Sequence, residues 1–427
     1  MTGAELFGAK WLRRITPCFC AVFSLCLMFA LPKATLAQAE YDWFATHSRE
    51  LRPNYVAEIL PDDFASIRLP APPPGEPPAA VRGLYMNAWI FSSARFFDLL
   101  ALADTTEINS FVIDVKDVRG FITYRSSNPT AVDIGANRMI RARNVRERLS
   151  ILEEHGIHPI ARIVVAKDTM LASNRPGWAV RNTDGGLWYD RFGDPWVDAY
   201  CDSVWIYAAE IAEEAVLMGF REIQFDYVRF PDEPAENLDN AVFACRRPGE
   251  SRRNGVRRGL ELAAQRVRAL GVPFTADVFG LATSARNDLG IGQYWEDILA
   301  TTDVVLPMVY PSHYHAGAYG LEWPNAEPYE TIRRALQDGI ERAEAIEGAA
   351  RIRPFLQSFS IRRVRYTAKE VRAQIDATED LGLTDWVFWN ASGRYPPGAF
   401  RRTGSPTIVA PGSRPDLVER PDSIPDF

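Results

Sequence analysis

The chain has 427 residues, 47% of them hydrophobic and 24% charged, with a formal net charge of −7. That length holds one large domain or two ordinary ones, and the composition is that of a globular protein able to bury a core. The acidic balance excludes a broad nucleic-acid surface, which would need a strong excess of basic groups.

Residues 1–37 read as a signal peptide. Lys10, Arg13 and Arg14 form a positive region, an apolar run covers residues 15–31, and Thr35, Ala37 and Ala39 supply the small residues of a cleavage site. The run is short for a membrane span, an uncleaved anchor being the alternative. Cleavage after Ala37 removes four basic residues and one acidic residue, leaving a net charge of −10. The expected location is periplasmic or secreted, with no stable membrane span after cleavage. Three of the five cysteines leave with this segment. Cys201 and Cys245 remain as a pair that an oxidising compartment would allow to bond.

Residues 38–80 form an N-terminal extension that ends in Pro70-Ala71-Pro72-Pro73-Pro74-Gly75-Glu76-Pro77-Pro78. Such a run lacks amide donors and favours extended geometry, so it reads as a linker. Residues 403–427, rich in proline and charge, read as a disordered tail.

Between them, residues 81–402 alternate short apolar runs with helical patterns. The predicted strands are 82–87, 110–115, 158–165, 222–226, 273–279, 304–310, 353–359 and 385–390. Gly156, Gly219, Gly271 and Gly382 each precede one of them, as expected where a helix ends in a left-handed residue. Residues 204–218, 259–270 and 368–381 carry the mixed apolar and charged texture of helices packed on a sheet. Eight strand–helix units in one block predict an α/β fold, a (β/α)8 TIM barrel. An open doubly wound sheet is the runner-up, but no glycine-rich phosphate loop follows any strand.

In such barrels function lies at the carboxyl ends of the strands. Those ends hold Asn87 and Trp89; Asp114, Lys116 and Asp117; Arg162, Lys167 and Asp168; Asp226, Tyr227 and Arg229; Asp277 and Phe279. The last three strands add Met308, Tyr310 and His313, then Gln357, then Trp386, Trp389 and Asn390. Carboxylates, amides and indoles together suit a sugar, whose hydroxyls take hydrogen bonds while its ring faces pack on aromatics. Glycoside hydrolysis uses two carboxyl groups. Asp226 is the candidate for the ionised member, held charged by Arg229, and Asp277 is the candidate acid. Asp114, Lys116, Arg162, Tyr227, Arg229, Tyr310, His313, Gln357, Trp389, Asn390 and Asn87 are the candidate substrate-binding residues, with Trp188 from the loop after the third strand. Lys116 beside Asp114 suggests an ion pair. Asp232 and Glu233 are loop acids that offer another proton source. Trp178, Trp188, Tyr189 and Trp196 make their loop either a sugar platform or a lid with its own core. His313 and His315 lack an evident third ligand, so no metal is expected, and the basic stretch 246–258 reads as a solvated face.

The strand-end motifs resemble the DUF4015 glycosyl hydrolase family of TIM-barrel glycosidases. The resemblance is carried by Gly83-Leu84-Tyr85-Met86-Asn87, Val112-Ile113-Asp114-Val115-Lys116-Asp117, Ala161-Arg162-Ile163-Val164-Val165, Phe225-Asp226-Tyr227-Val228-Arg229-Phe230-Pro231, Ala276-Asp277-Val278-Phe279-Gly280 and Pro307-Met308-Val309-Tyr310-Pro311. It spans residues 81–395. It implies a (β/α)8 fold and glycosidase activity, and assigns neither a sugar nor catalytic residues. The expected partner is a carbohydrate, with no cofactor and no nucleic acid; oligomeric state is not legible. A non-catalytic glycan-binding barrel is the alternative reading, and a metal-dependent deacetylase centred on His313 a third.

Overall fold

A computed structural model describes residues 77–403, Arg362 excepted. The expected signal peptide, residues 38–76 of the extension and residues 404–427 of the tail lie outside the described residues. Eight parallel strands close into a barrel. They are β1 (Arg82–Met86), β2 (Ser110–Lys116), β3 (His158–Val164), β4 (Glu222–Asp226), β5 (Phe274–Phe279), β6 (Val304–Met308), β7 (Arg351–Ile352 and Phe355–Gln357) and β8 (Trp386–Trp389). Each strand pairs with the next, and Arg82 opposite Trp386 closes β8 on β1. β7 is split because Pro354 has no amide to give the ladder; it resumes at Phe355, between Met308 and Val387.

Helices α1 (Arg95–Asp104), α2 (Val145–Glu154), α3 (Asp202–Met218), α4 (Arg252–Arg268), α5 (Trp295–Thr301), α6 (Pro328–Ala343) and α7 (Ala368–Glu379) connect successive strands. After β8 a 3₁₀ turn, Pro397–Ala399, stands where an eighth helix would follow. The four helix-closing glycines all have positive φ, between 66° and 123°. α7 begins with a capping box, Thr367 and Glu370 each satisfying the other's backbone amide. α3 and α4 approach closely because Gly259 has no side chain: a Cβ there would lie 2.0 Å from the Trp205 ring. Gly259→Ala is expected to cost about 1–3 kcal/mol by overpacking, read as a lower urea midpoint with unchanged slope.

Both faces of the strands are covered, so β2 and β3 are buried along their whole length. The outward residues are apolar and sit under the helices. The interior of the barrel is instead strongly polar. Alternate residues of β4 (Glu222, Gln224 and Asp226) make contacts across it at three successive levels. At the lowest, Glu222 pairs with Arg353 at 2.5 Å and with His158 at 3.3 Å. Burial alone would raise Glu222, but Arg353 and His158 outweigh it and hold the carboxyl down at about 2. This buried pair closes the amino end of the barrel and leaves the other levels to the site.

Candidate active site

Arg162 is the centre of the site. It lies on β3, in register with Asp114 on β2 and Gln224 on β4. Its Nη1 donates to Asp114 Oδ1 at 2.6 Å, and its Nε donates to Asp226 Oδ2 at 3.0 Å. Nη2 donates to the same Asp226 oxygen. Asp277 Oδ2 lies 4.0 Å from Nε. The guanidinium also sits 5.1 Å from the Trp389 ring and 5.7 Å from Tyr85, which stack on each other. A register shift between Asp114 and Lys116 re-aims the end of β2.

One guanidinium thus faces three carboxyl groups, all buried. Burial and mutual repulsion disfavour full ionisation of three crowded carboxyl groups. Burial pushes the Asp277 pKa well up, the Asp226 charge pushes it further, and Arg162 and Gln224 offset only part of this. Gln224 donates to Asp277 Oδ2 at 2.8 Å, while Oδ1 is buried without a hydrogen-bond partner. Burial also raises Asp114, against the pull of Arg162 and the Tyr85 hydroxyl, which donates to Asp114 Oδ2 at 2.6 Å. Asp226 has the opposite surroundings. Two Arg162 groups and the Tyr227 amide, 2.6 Å from Oδ1, all point N–H at it. Sharing Arg162 Nε, the nearest Asp226 and Asp277 oxygens lie no more than about 7 Å apart, which excludes a spacing wider than the roughly 5–10 Å of glycosidase carboxyl pairs.

Two expected pairings are corrected, and the other expected site residues acquire neighbours within the fold. Asp226 pairs with Arg162 and not with Arg229. Tyr227 adopts a left-handed backbone, φ 55°, and turns the chain so that Arg229 enters a nest of Trp196, Tyr227 and Phe279 rings, 4.7–4.9 Å away. Lys116 pairs with Asp168 at 2.6 Å, not with Asp114, and both are buried. Trp188 is packed, its indole donating to the Asn237 carbonyl, and Trp196 donates to Asp190. Their loop therefore has a core of its own, with Tyr189 left exposed. Glu233 is tied to Arg191 at 3.4 Å. Gln357 accepts from the Ser312 amide and donates to the Phe359 carbonyl, tying loops together. Asn87 caps the short helix Ala88–Ser92 and donates to Ala391; Asn390 donates to Ser358 and Arg394. Trp386 opens β8 and stacks on Phe400, at the wrong end for substrate. Tyr310 is buried with its ring 5.1 Å from His313, and His315 bonds the Ala316 carbonyl. Tyr85 and Gln224 were missed as site residues because they sit inside buried strand runs, ahead of the strand ends where function is expected.

The loops after β3 and β4 are joined. Residues Arg181–Asn182 pair antiparallel with Ala241–Val242, and Cys201 bonds Cys245 across 44 residues of sequence. Beneath the bond, Asp198 accepts from the Cys245 and Tyr200 amides, each at 2.9 Å, and burial pushes its carboxyl up to about 6. Cys245→Ser is expected to lower stability by about 2–4 kcal/mol through the lost loop constraint, measured as a Tm drop that thiol reagents do not deepen.

Residues 83–395 match the family model DUF4015, described as "Putative glycosyl hydrolase domain". None of the curated proteins matches the chain. Among solved structures, a hypothetical protein from Ruminiclostridium thermocellum ATCC 27405 is 36% identical over 46% of this chain and 97% of its own, with a TM-score of 0.42. The PgaB (BpsB) glycoside hydrolase domain from Bordetella bronchiseptica is 14% identical, over 73% of this chain and 94% of that one, with a TM-score of 0.53. That second likeness is one of fold.

Proposed function

We propose that this chain, which belongs to the DUF4015 glycosyl hydrolase family, cleaves glycosidic bonds in a cell-envelope or extracellular polysaccharide. In this reading Asp277 is the acid that protonates the leaving oxygen. Asp226 is the ionised partner that attacks the anomeric carbon or activates water. The observation that carries it is the unequal treatment of two neighbouring carboxyl groups. Arg162 and a backbone amide surround Asp226 with N–H groups, while Asp277 is left with an amide donor on one oxygen and nothing on the other. A carboxyl group whose proton is favoured by burial, next to one surrounded by N–H donors, suits acid–base chemistry at one pH. A glycan-binding barrel without activity has no use for a buried proton on Asp277, which favours the enzyme over the binding module. Asp114 and Tyr85 hold Arg162 in place, and Trp389 offers a half-buried ring face to sugar.

Export is part of the proposal. The Cys201–Cys245 bond supports an oxidising compartment, and the positive and apolar residues of 1–37 suit a targeting segment. Among the described residues no helix is long and apolar enough to cross a membrane.

The test is a screen of residues 38–427 against envelope and extracellular polysaccharides, with Asp226→Asn in parallel. Turnover by the parent, reduced about 10³-fold or more in the variant with binding retained, is the expected result. Full turnover by Asp226→Asn would remove it from the chemistry.

A further inference from the structure

One sector of the active rim gathers exposed arginines, on a chain whose formal net charge is −7. The loops after β7, β8 and β2 present Arg363, Arg365, Arg394, Arg138 and Arg143, all exposed and none with an ion-pair partner among the described residues. These loops are neighbours around the barrel, because β7, β8, β1 and β2 are consecutive in the sheet. They are also stitched into one wall. Asn390 bonds the Ser358 and Arg394 carbonyls, joining the β7 and β8 loops. Asn87 bonds Ala391, joining the β8 loop to β1. The Arg141 guanidinium lies 5.7 Å from the Trp89 ring, joining β1 to the β2 loop. Trp89 itself is 41% exposed in the middle of that wall. The opposite rim is of mixed charge: Glu236 and Asp239 after β4 and Glu322 and Glu327 after β6 are exposed, and so are Arg246 and Arg247 after β4 and Arg286 after β5.

We infer that the β7–β8–β1–β2 wall binds an anionic glycan, a polymer bearing uronate carboxylates or sulfate esters, and so sets the substrate class. The inference rests on the glycosidase reading above for what happens to the bound chain. Guanidinium groups match the oxyanion fork of a carboxylate or sulfate, and the indole of Trp89 matches the apolar face of a sugar ring between them. Net charge does not argue against this. At physiological salt, charges beyond about 8 Å are largely screened, so the local wall governs contact.

The test uses residues 38–427 carrying Asp226→Asn, to allow binding without turnover, with polygalacturonate, dextran sulfate and dextran as probes. Retention of polygalacturonate or of dextran sulfate is expected, falling with added salt, with dextran not retained; which of the two binds tighter separates carboxylate from sulfate recognition. R363E/R365E/R394E is expected to weaken that retention at least tenfold with unchanged Tm, and R138E/R143E to weaken it independently. Equal retention of dextran, no retention of either polyanion, or indifference to both sets of reversals would overturn the inference. With Asp226 restored, turnover of a neutral glycan that the reversals leave intact would retain the glycosidase and remove the anionic preference. Salt-sensitive retention of a polyanion, with no turnover of any glycan, would do the reverse.

Discussion

Arg162→Leu is expected to cost about 3–5 kcal/mol at neutral pH, because it strips the counter-charge from a buried cluster instead of removing an ion pair whole. Asp114 and Asp226 would each lose direct guanidinium contacts, and Asp277 the nearby charge that offsets its burial. The sign of the pH dependence follows. Buried carboxyl groups without a cation have folded-state pKa values above their unfolded ones. Their stabilising contribution is therefore fully present below the unfolded value of about 4 and lost as pH rises through the folded value. The deficit of the variant relative to the parent should shrink toward pH 4 and widen toward pH 8, as urea denaturation at several pH values would read. A deficit below 1 kcal/mol at pH 8, or one that ignores pH, would mean Arg162 is not the keystone of the site. Activity should be lost in the same variant at every pH, since the group that holds Asp226 is gone.

The second large effect concerns Asp277. Its pKa stands well above the ordinary carboxylate value through burial and the Asp226 charge, and in the proposed reaction its proton goes to the leaving oxygen. kcat/KM should therefore fall as pH rises through that raised value. Asp277→Asn should lower turnover of a natural glycan by about 10²–10⁴-fold and abolish that alkaline limb. A nitrophenyl glycoside of the same sugar, whose leaving group needs no proton, should lose far less. Equal losses on both substrates would assign Asp277 a structural role. Stability moves the other way. Ionisation of Asp277 costs folding energy above its folded pKa, so the asparagine variant should be the more stable protein at alkaline pH.

The barrel was legible residue by residue. Parallel strands covered on both faces must be short and apolar, and helices must separate them, so the eight units appear as a rhythm that no tertiary contact is needed to read. β4 was read to the residue, and most other strands to within two residues, while β7 was misread where Pro354 interrupts it. Gly156, Gly219, Gly271 and Gly382 close helices as expected because a left-handed residue is a local requirement. Asp226 and Asp277 were placed on the right strands by the same logic. What they touch was not legible. Arg162 is 64 residues from Asp226 in sequence, and only barrel closure puts them in one layer. Arg229 was the natural guess at three residues' distance, and the left-handed turn at Tyr227 sent it elsewhere. Asn87, Gln357 and Asn390 are expected sugar ligands whose amides also bond backbone carbonyls of neighbouring loops, contacts that became visible only in the fold.

The sequence by itself determined the architecture, since periodicity, caps and strand lengths are local properties. The tertiary structure decided the chemistry. Burial and proximity set which carboxyl group keeps its proton, and both depend on residues the chain brings together only by closing.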